Sequence, residues 1–326
     1  AAVLIGGICH MLLQWYWCSR MGVMLTPAVP KRDNAELKSM MYLFFPYAAG
    51  LSLNQVNPVI SRIFGSFLTG GSISVLTYAD RILQLPLGLF VIAISQAVLP
   101  MLSRQDPNDR AGFRDFIRDA LRFDLFVILP VSVGILVLSQ ETAHILFFRG
   151  AFTEWAWHAT GTALAIYGLG LPGMASSTII LRAMYARRMP RGAVGVTAVT
   201  VAVNLAACLL LMPLFKYAGL AGATAAAFTC SSLYGAWALS KNLKEPLGVF
   251  DFRWLTKILS STALMFAVLY AIKTTLPYPL SASVGLRALW LTGMVIVGAA
   301  TYSVSTMLFR CSEWQWIKDA LKQKRN

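Results

Sequence analysis

Two adjacent ionisable residues, Asp80 and Arg81, lie in the middle of the apolar stretch SISVLTYADRILQLPLGLFVIAIS, and Arg62 interrupts the apolar stretch before it. A charge inside a membrane costs several kcal/mol, so such residues normally face a bundle interior or a wet cavity. Arg81 falls about 14 Å into its stretch at 1.5 Å per residue, near the midplane of a core about 30 Å thick. A guanidinium there can grip a phosphate through two parallel hydrogen bonds, which an ammonium cannot. The competing use is an ion pair or a bond to a carbonyl of a neighbouring helix. Asp80 is the one acidic residue expected deep in any span. It cannot share the direction of Arg81, because neighbouring helical positions diverge by about 100°; it orients another polar group or binds a cation. Gln84, one turn on, extends the polar patch. Arg62 lies nearer the end of its own stretch and can snorkel to the interface.

The preceding stretch, LSLNQVNPVISRIFGSF, carries too many polar groups for a lipid-facing helix. Asn54, Asn57 and Ser61 recur at intervals of three to four and form one polar stripe. Pro46 and Pro58 break the backbone ladder here, and Pro86 does so in the next stretch. Broken helices lining a polar cavity are a transporter feature; Pro kinks with polar residues bonding between helices are the plainer explanation. The candidate binding residues are therefore Arg81, Asp80, Asn57, Asn54, Ser61, Arg62 and Gln84. His10, His144 and His158 are far apart and make no ligand pattern. Glu141 and Glu154 are expected in an outer loop, in solvent. Five cysteines (Cys9, Cys18, Cys208, Cys230, Cys311) show no CxxC or Cys/His spacing. No Gly-rich phosphate loop, nucleophile elbow or metal-hydrolase signature is present. Neither catalysis, a metal nor a cofactor is expected.

The elements that must hold these residues follow from composition. Of 326 residues, 57% are hydrophobic and only 13% charged, about half the charge of a soluble domain. The fold class expected is an all-α polytopic membrane protein. Nine stretches reach or approach the ~20 apolar residues of a spanning helix: 1–18, 38–68, 72–102, 121–140, 157–184, 193–214, 219–240, 254–275 and 285–309. Their connections alternate in basic residues. Of 28 Lys and Arg, 22 fall in one set of connections plus the tail, four in the other set, and two (Arg62, Arg81) inside spans. By the positive-inside rule the basic set is cytoplasmic, as is the C-terminus. Charge divided among separate loops also argues against a nucleic-acid footprint, which gathers on one face; anionic membrane lipid is the expected neighbour. The opening AAVLIGGICHMLLQWYW has no basic region before it and reads as a membrane helix already under way, so the chain is expected to be a C-terminal portion of something longer. AGLAGATAAA (218–227) is a small-residue packing surface, YGLGLPGMASS (167–177) a kinked span, and Trp15, Trp17, Trp314 and Trp316 fit interface belts.

With those residues laid out, GSISVLTYADRILQLPLGLFVIAISQAVLPMLSR (71–104) resembles the MurJ (MviN) lipid II flippases, of the multidrug/oligosaccharidyl-lipid/polysaccharide exporter superfamily. LFFRGAFT (146–153), YGLGLPG (167–173), the MYAR run (184–187) and NLAACLLLMPLFKYAGLAGA (204–223) match in order. The resemblance implies fourteen spans in two lobes around a cavity, with two C-terminal spans forming a lipid-tail groove. This chain would be spans six to fourteen: the end of the first lobe with its linker (1–36), the second lobe (37–240), and the tail-groove pair with a basic tail (241–326). The family's cavity arginine falls on Arg81 with Asp80 beside it, and its other cavity arginines lie in spans absent here. Some members have a sodium site built on two carboxylates; the matching positions here are Ser61 and Cys208, with Asn204 and Thr224 nearby, so sodium is not expected. The MYAR run continues as RMPRG, away from the family pattern.

The function implied is an inner-membrane lipid II flippase in peptidoglycan biosynthesis. Its partners would be lipid II, membrane lipids and the missing N-terminal spans. The rivals are a flippase for another polyprenyl-linked glycan and a truncated membrane scaffold that transports nothing. An exporter of cationic drugs should show acidic cavity residues, and two arginines argue against it.

Overall fold

A computed structural model of the chain describes residues 2–22, 41, 56–103, 109–187 and 189–314. Asn54, Pro46 and Trp316 lie outside these residues. The chain divides into two compact units, 1–51 and 52–326. In the first, α1 (Ala2–Arg20) is a helix ending in Arg20, whose guanidinium lies 5.7 Å from the Tyr16 ring centre.

The second unit begins with the helical residues 56–66 (α2). A tight turn through Gly71, whose φ of 95° suits glycine, leads into α3 (Ser72–Pro86). Pro86 has no N–H and its ring crowds the preceding turn. The helix accommodates this by widening to a π-helical stretch, Leu87–Ile92, before resuming as α4 (Ala93–Ser103). There follow α5 (Arg110–Phe147), α6 (Glu154–Ala186), α7 (Pro190–Leu243), α8 (Phe252–Thr275) and α9 (Val284–Leu308). Asp109 caps α5 by accepting from the Gly112 N–H at 2.8 Å, Thr153 caps α6 through Ala156, and Ser283 caps α9 through Leu286. Among the described residues, six helices are long and apolar enough to cross a membrane: α3 with α4, α5, α6, α7, α8 and α9.

Helix α7 is the exception in length. Its 54 residues would reach about 81 Å if straight. Instead the backbone turns at Lys216 (φ 51°, ψ −126°), three residues after Pro213. The two arms then run antiparallel, with Gly219 packed on the Leu211–Met212 backbone and Gly195 against Tyr234. Each arm is long enough to span.

Glycines bring the centre of the bundle together. Gly170 and Gly173 of α6 lie against the backbone of Ala225 and Thr229 on the second arm of α7, and Gly168 lies against Ile135 of α5. Leu164, Leu171, Leu220 and Ala223 fill one apolar core with Val75 and Leu83 of α3. A second core, around Ile117, Ile179, Leu239 and Ile258, joins α5 and α6 to α8.

The connections fall into two sets at opposite ends of the bundle. At one end Trp155 packs on Gly71 and on Tyr217, Tyr78 on Phe152, and His144 Nδ1 lies 2.9 Å from the Tyr278 hydroxyl. At the other, Arg187 lies over Phe113, Arg114 pairs with Glu245, and Arg122 donates to the Val249 and Gly248 carbonyls at 3.0 and 2.9 Å. Helices α8 and α9 dock through α5: Lys273 pairs with Glu141 at 2.8 Å, and the Tyr302 hydroxyl donates to the Phe126 carbonyl.

Three expectations are corrected. The stretch between the expected spans 72–102 and 121–140 is not all connection, because α5 already starts at Arg110, where Phe113 and Ile117 continue its buried stripe. Glu141 is not in a solvated loop; it is 6% exposed on α5 and paired with Lys273, while Glu154 is exposed as expected. Asp80 is not the one acid inside a span, since Asp124 on α5, within the expected span 121–140, is 0% exposed and, among the described residues, neither of its carboxyl oxygens has a hydrogen-bond partner.

Candidate functional site

Between α2, α3, α6 and the second arm of α7 lies a cavity of about 330 Å³. Its α3 wall is one helix face, because Ile73, Thr77, Asp80 and Gln84 are spaced to stay on one side, and Leu87 of the π-helical stretch continues it. The α2 wall is Asn57, Pro58, Ser61 and Arg62. Tyr167 and Thr178 of α6 and Thr224 of α7 close it. Gly65 of α2 abuts Ile73 of α3 across the Gly71 turn. That antiparallel register puts Asp80 level with Asn57 and Pro58, and Arg62 about one helical turn nearer the turn. Asn57 is buried at the cavity floor; Arg62, Asp80 and Gln84 are exposed at its open side.

The polar groups are organised. Gln84 Nε2 donates to Asp80 Oδ1 at 3.4 Å, one turn apart on the same helix. Asn204 Nδ2 donates to Asn57 Oδ1 at 3.1 Å, and the Cys208 thiol donates to Asn204 Oδ1 at 3.0 Å, so α7 is tied to α2 by a buried chain of side chains. The Thr178 hydroxyl donates to the Met174 carbonyl, which leaves its oxygen to accept, while the Thr224 hydroxyl donates to the Leu220 carbonyl and is also hydrogen-bonded to Tyr167. Asp80 feels the positive charge of Arg62, yet among the described residues Arg62 makes no ion pair.

Five of the seven candidate residues, Asn57, Ser61, Arg62, Asp80 and Gln84, thus line one cavity. Arg81 does not. It is exposed on the adjoining open face of α3, one step round the helix from Asp80. Asn54 lies outside the described residues. The sequence reading missed Thr77, Tyr167 and Thr178. Thr77 could have been found by stepping back three residues from Asp80 along the helix face; the two α6 residues carry no signal of their own, because only packing brings α6 here.

The family model "Lipid II flippase MurJ" matches residues 1–287. The chain belongs to the MurJ lipid II flippase family. Among curated relatives, the probable lipid II flippase MurJ of Haemophilus influenzae is 29% identical over 94% of this chain and 61% of its own length. That of Rhizobium meliloti is 31% identical over 92% and 56%. A solved structure, a lipid II flippase MurJ in an inward closed conformation, is 26% identical with a TM-score of 0.72, over 88% of this chain and 57% of that one. The chain therefore spans little more than half the length of the MurJ relatives it matches.

The sodium site of some MurJ proteins can be tested against these residues. Ser61 and Cys208 stand where the resemblance places carboxylates, and the amide oxygens of Asn204 and Asn57 already accept from Cys208 and Asn204. A hard cation takes several oxygen ligands, commonly with carboxylates among them. Ser61, Cys208, Asn204 and Asn57 supply no carboxylate, and both amide oxygens are engaged, so this set does not fit one.

Proposed function

We propose that the chain acts as the second lobe and tail-binding part of a lipid II flippase, moving undecaprenyl-diphosphate-linked peptidoglycan precursor across the bacterial inner membrane by alternating access. The observation that carries this is the polar cavity with a charged open side, set among apolar spans in a chain of the MurJ family. The task is to carry a large charged headgroup through a low-dielectric core while the polyprenyl tail stays in lipid. Arg81, on the open face of α3 beside the cavity, supplies a fork for the diphosphate. Asn57, Ser61 and Gln84 solvate the sugar and peptide. Helices α8 and α9 hold the tail.

In this reading the chain has nine spans, counting α1, a span ending in α2, and the two arms of α7 separately. The divisions at 36/37 and 240/241 separate the end of the first lobe, the second lobe and the tail pair. The end bearing Arg114, Arg122, Arg187 and the C-terminus is cytoplasmic, and the N-terminal spans of a longer protein complete the cavity. Lobes rocking about the Pro86 and Lys216 breaks would alternate access.

Native mass spectrometry of the detergent-purified chain with lipid II, wild type against Arg81→Ala, tests the reading. Binding at least tenfold weaker in the variant, roughly the 1.5–3 kcal/mol of a charge-assisted hydrogen bond, is expected. Equal binding by both removes Arg81 from the site. Binding by neither overturns the chain's part in holding substrate.

A further inference from the structure

The part of the cavity that this lobe walls meets only a fragment of the headgroup that the proposed function assigns to this protein. Its volume is about 330 Å³, at the low end of the ~300–1,000 Å³ of pockets for drug-sized ligands, and a disaccharide bearing a five-residue peptide is several times larger. Only one fragment of the substrate meets these walls, and their charges say which chemistry it has. Arg62 and Asp80 face the same cavity from two antiparallel segments about one helical turn apart, without pairing to each other. A diphosphate would meet Arg62 but be repelled by Asp80. A neutral sugar would give neither charge a direct partner. A metal cation would suit Asp80 and oppose Arg62. A group with an ammonium and a carboxylate on one carbon satisfies both walls at once.

We infer that this cavity seats a zwitterionic amino-acid end carried by the headgroup's peptide, with Arg62 holding its carboxylate and Asp80 its ammonium. The inference rests on the lipid II reading above and names which part of that substrate this lobe selects. Among the described residues nothing pairs with the Arg62 guanidinium, so its fork is offered to a bidentate carboxylate. Asp80 gives one oxygen to Gln84 at 3.4 Å and keeps the other for the ammonium. The Thr178 oxygen, whose own proton is used on the Met174 carbonyl, accepts from the ammonium or from a peptide N–H group. Arg81, on the next face of α3, remains for the diphosphate, so the two arginines divide the substrate's two anionic groups between them.

The test uses three lipid II probes in native mass spectrometry with the purified chain. One carries a peptide with a free side-chain amino-acid end, as diaminopimelate provides; the second has that carboxylate amidated; the third has that amine acetylated. The wild type should hold the first roughly fivefold more tightly than either of the others, the scale of an exposed ion pair. Arg62→Gln should bring the first and second probes to equality while still discriminating against the third. Asp80→Asn should do the reverse, and Arg62→Lys should keep most of the preference. Equal binding of all three probes by the wild type, well above that of undecaprenyl phosphate, overturns the zwitterion site and leaves the lipid II reading standing. Variants that weaken all three probes by one factor also overturn it, because that pattern is structural. Binding of no probe above undecaprenyl phosphate overturns both readings.

Discussion

Pro172 sits inside α6 and has no N–H to offer the carbonyl one turn back, that of Gly168. The Ser132 hydroxyl of α5 supplies the missing donor at 2.5 Å, in a buried position. An unsatisfied carbonyl in an apolar interior is costly, so this one side chain permits the break in α6. Ser132→Ala is expected to lower the thermal midpoint in detergent by the equivalent of ~1 kcal/mol. In a Pro172→Ala background the new backbone N–H can reach Gly168, and the same substitution should cost less than half as much. Equal costs in both backgrounds would show that Ser132 does something else. Neither partner of this bond was legible in the sequence beyond the proline itself, because the donor comes from another helix. Asn57, Ser61, Arg62, Asp80 and Gln84 were legible, since a polar type in an apolar run is conspicuous wherever the run folds. Which member of the Asp80–Arg81 pair lines the cavity was not. The sequence tells that adjacent residues diverge, and only the packing of α3 on α6 decides which of the two turns inward.

At the level of elements, the close contact of α6 with the second arm of α7 depends on positions without side chains. A Cβ on Gly173 would lie 2.8 Å from the Thr229 Cα, and one on Gly170 2.6 Å from the Ala225 Cα. These neighbours are backbone and cannot step aside without moving a helix. Gly173→Ala is expected to destabilise by about 1–3 kcal/mol, the cost of overpacking. Gly293→Ala on α9, where nothing lies within 4 Å, should be neutral or stabilising by up to ~1 kcal/mol through helix propensity. Thermal unfolding in detergent ranks the two, and indistinguishable midpoints would refute the packing argument. The small-residue run 218–227 was readable as a packing surface, but its partner was not, because glycine spacing names no neighbour. The stretch pattern was readable from hydropathy, and eight of the nine stretches fall on α1, α3–α4, α5, α6, the two arms of α7, α8 and α9. The start of α5 was misread because Arg110, Arg114, Asp115, Arg118 and Asp119 look like a loop. They are the wet side of a helix whose buried side is Phe113, Ile117, Ala120, Leu121 and Asp124, and Asp115 and Arg118 pair along it at 3.1 Å. The same misjudged boundary hid Asp124, which looked like the edge of a span and lies well inside the helix.

For the lobe as a whole, the alternation of basic connections in the sequence and the two sets of connections in the fold are independent observations of one asymmetry. The end with Trp155, Tyr217 and Tyr278 carries only Arg149, Lys216, Lys273 and Arg287, and Lys273 is paired with Glu141. The free positive charge there is smaller still than the count suggests. The opposite end keeps Arg182, Lys241, Lys244 and Arg253 among many others. A membrane potential negative inside and anionic cytoplasmic lipid both favour that end on the cytoplasmic side. With the native cysteines replaced, Ser281→Cys and Lys244→Cys place single thiols at exposed positions at the two ends. A membrane-impermeant maleimide should label the first in intact cells and the second only after the inner membrane is opened. The reverse pattern would invert the lobe and put the C-terminus outside. In that case the substrate would meet the charged side of the cavity from the other direction, and the order in which Arg81 and Arg62 engage its diphosphate and its peptide would be exchanged.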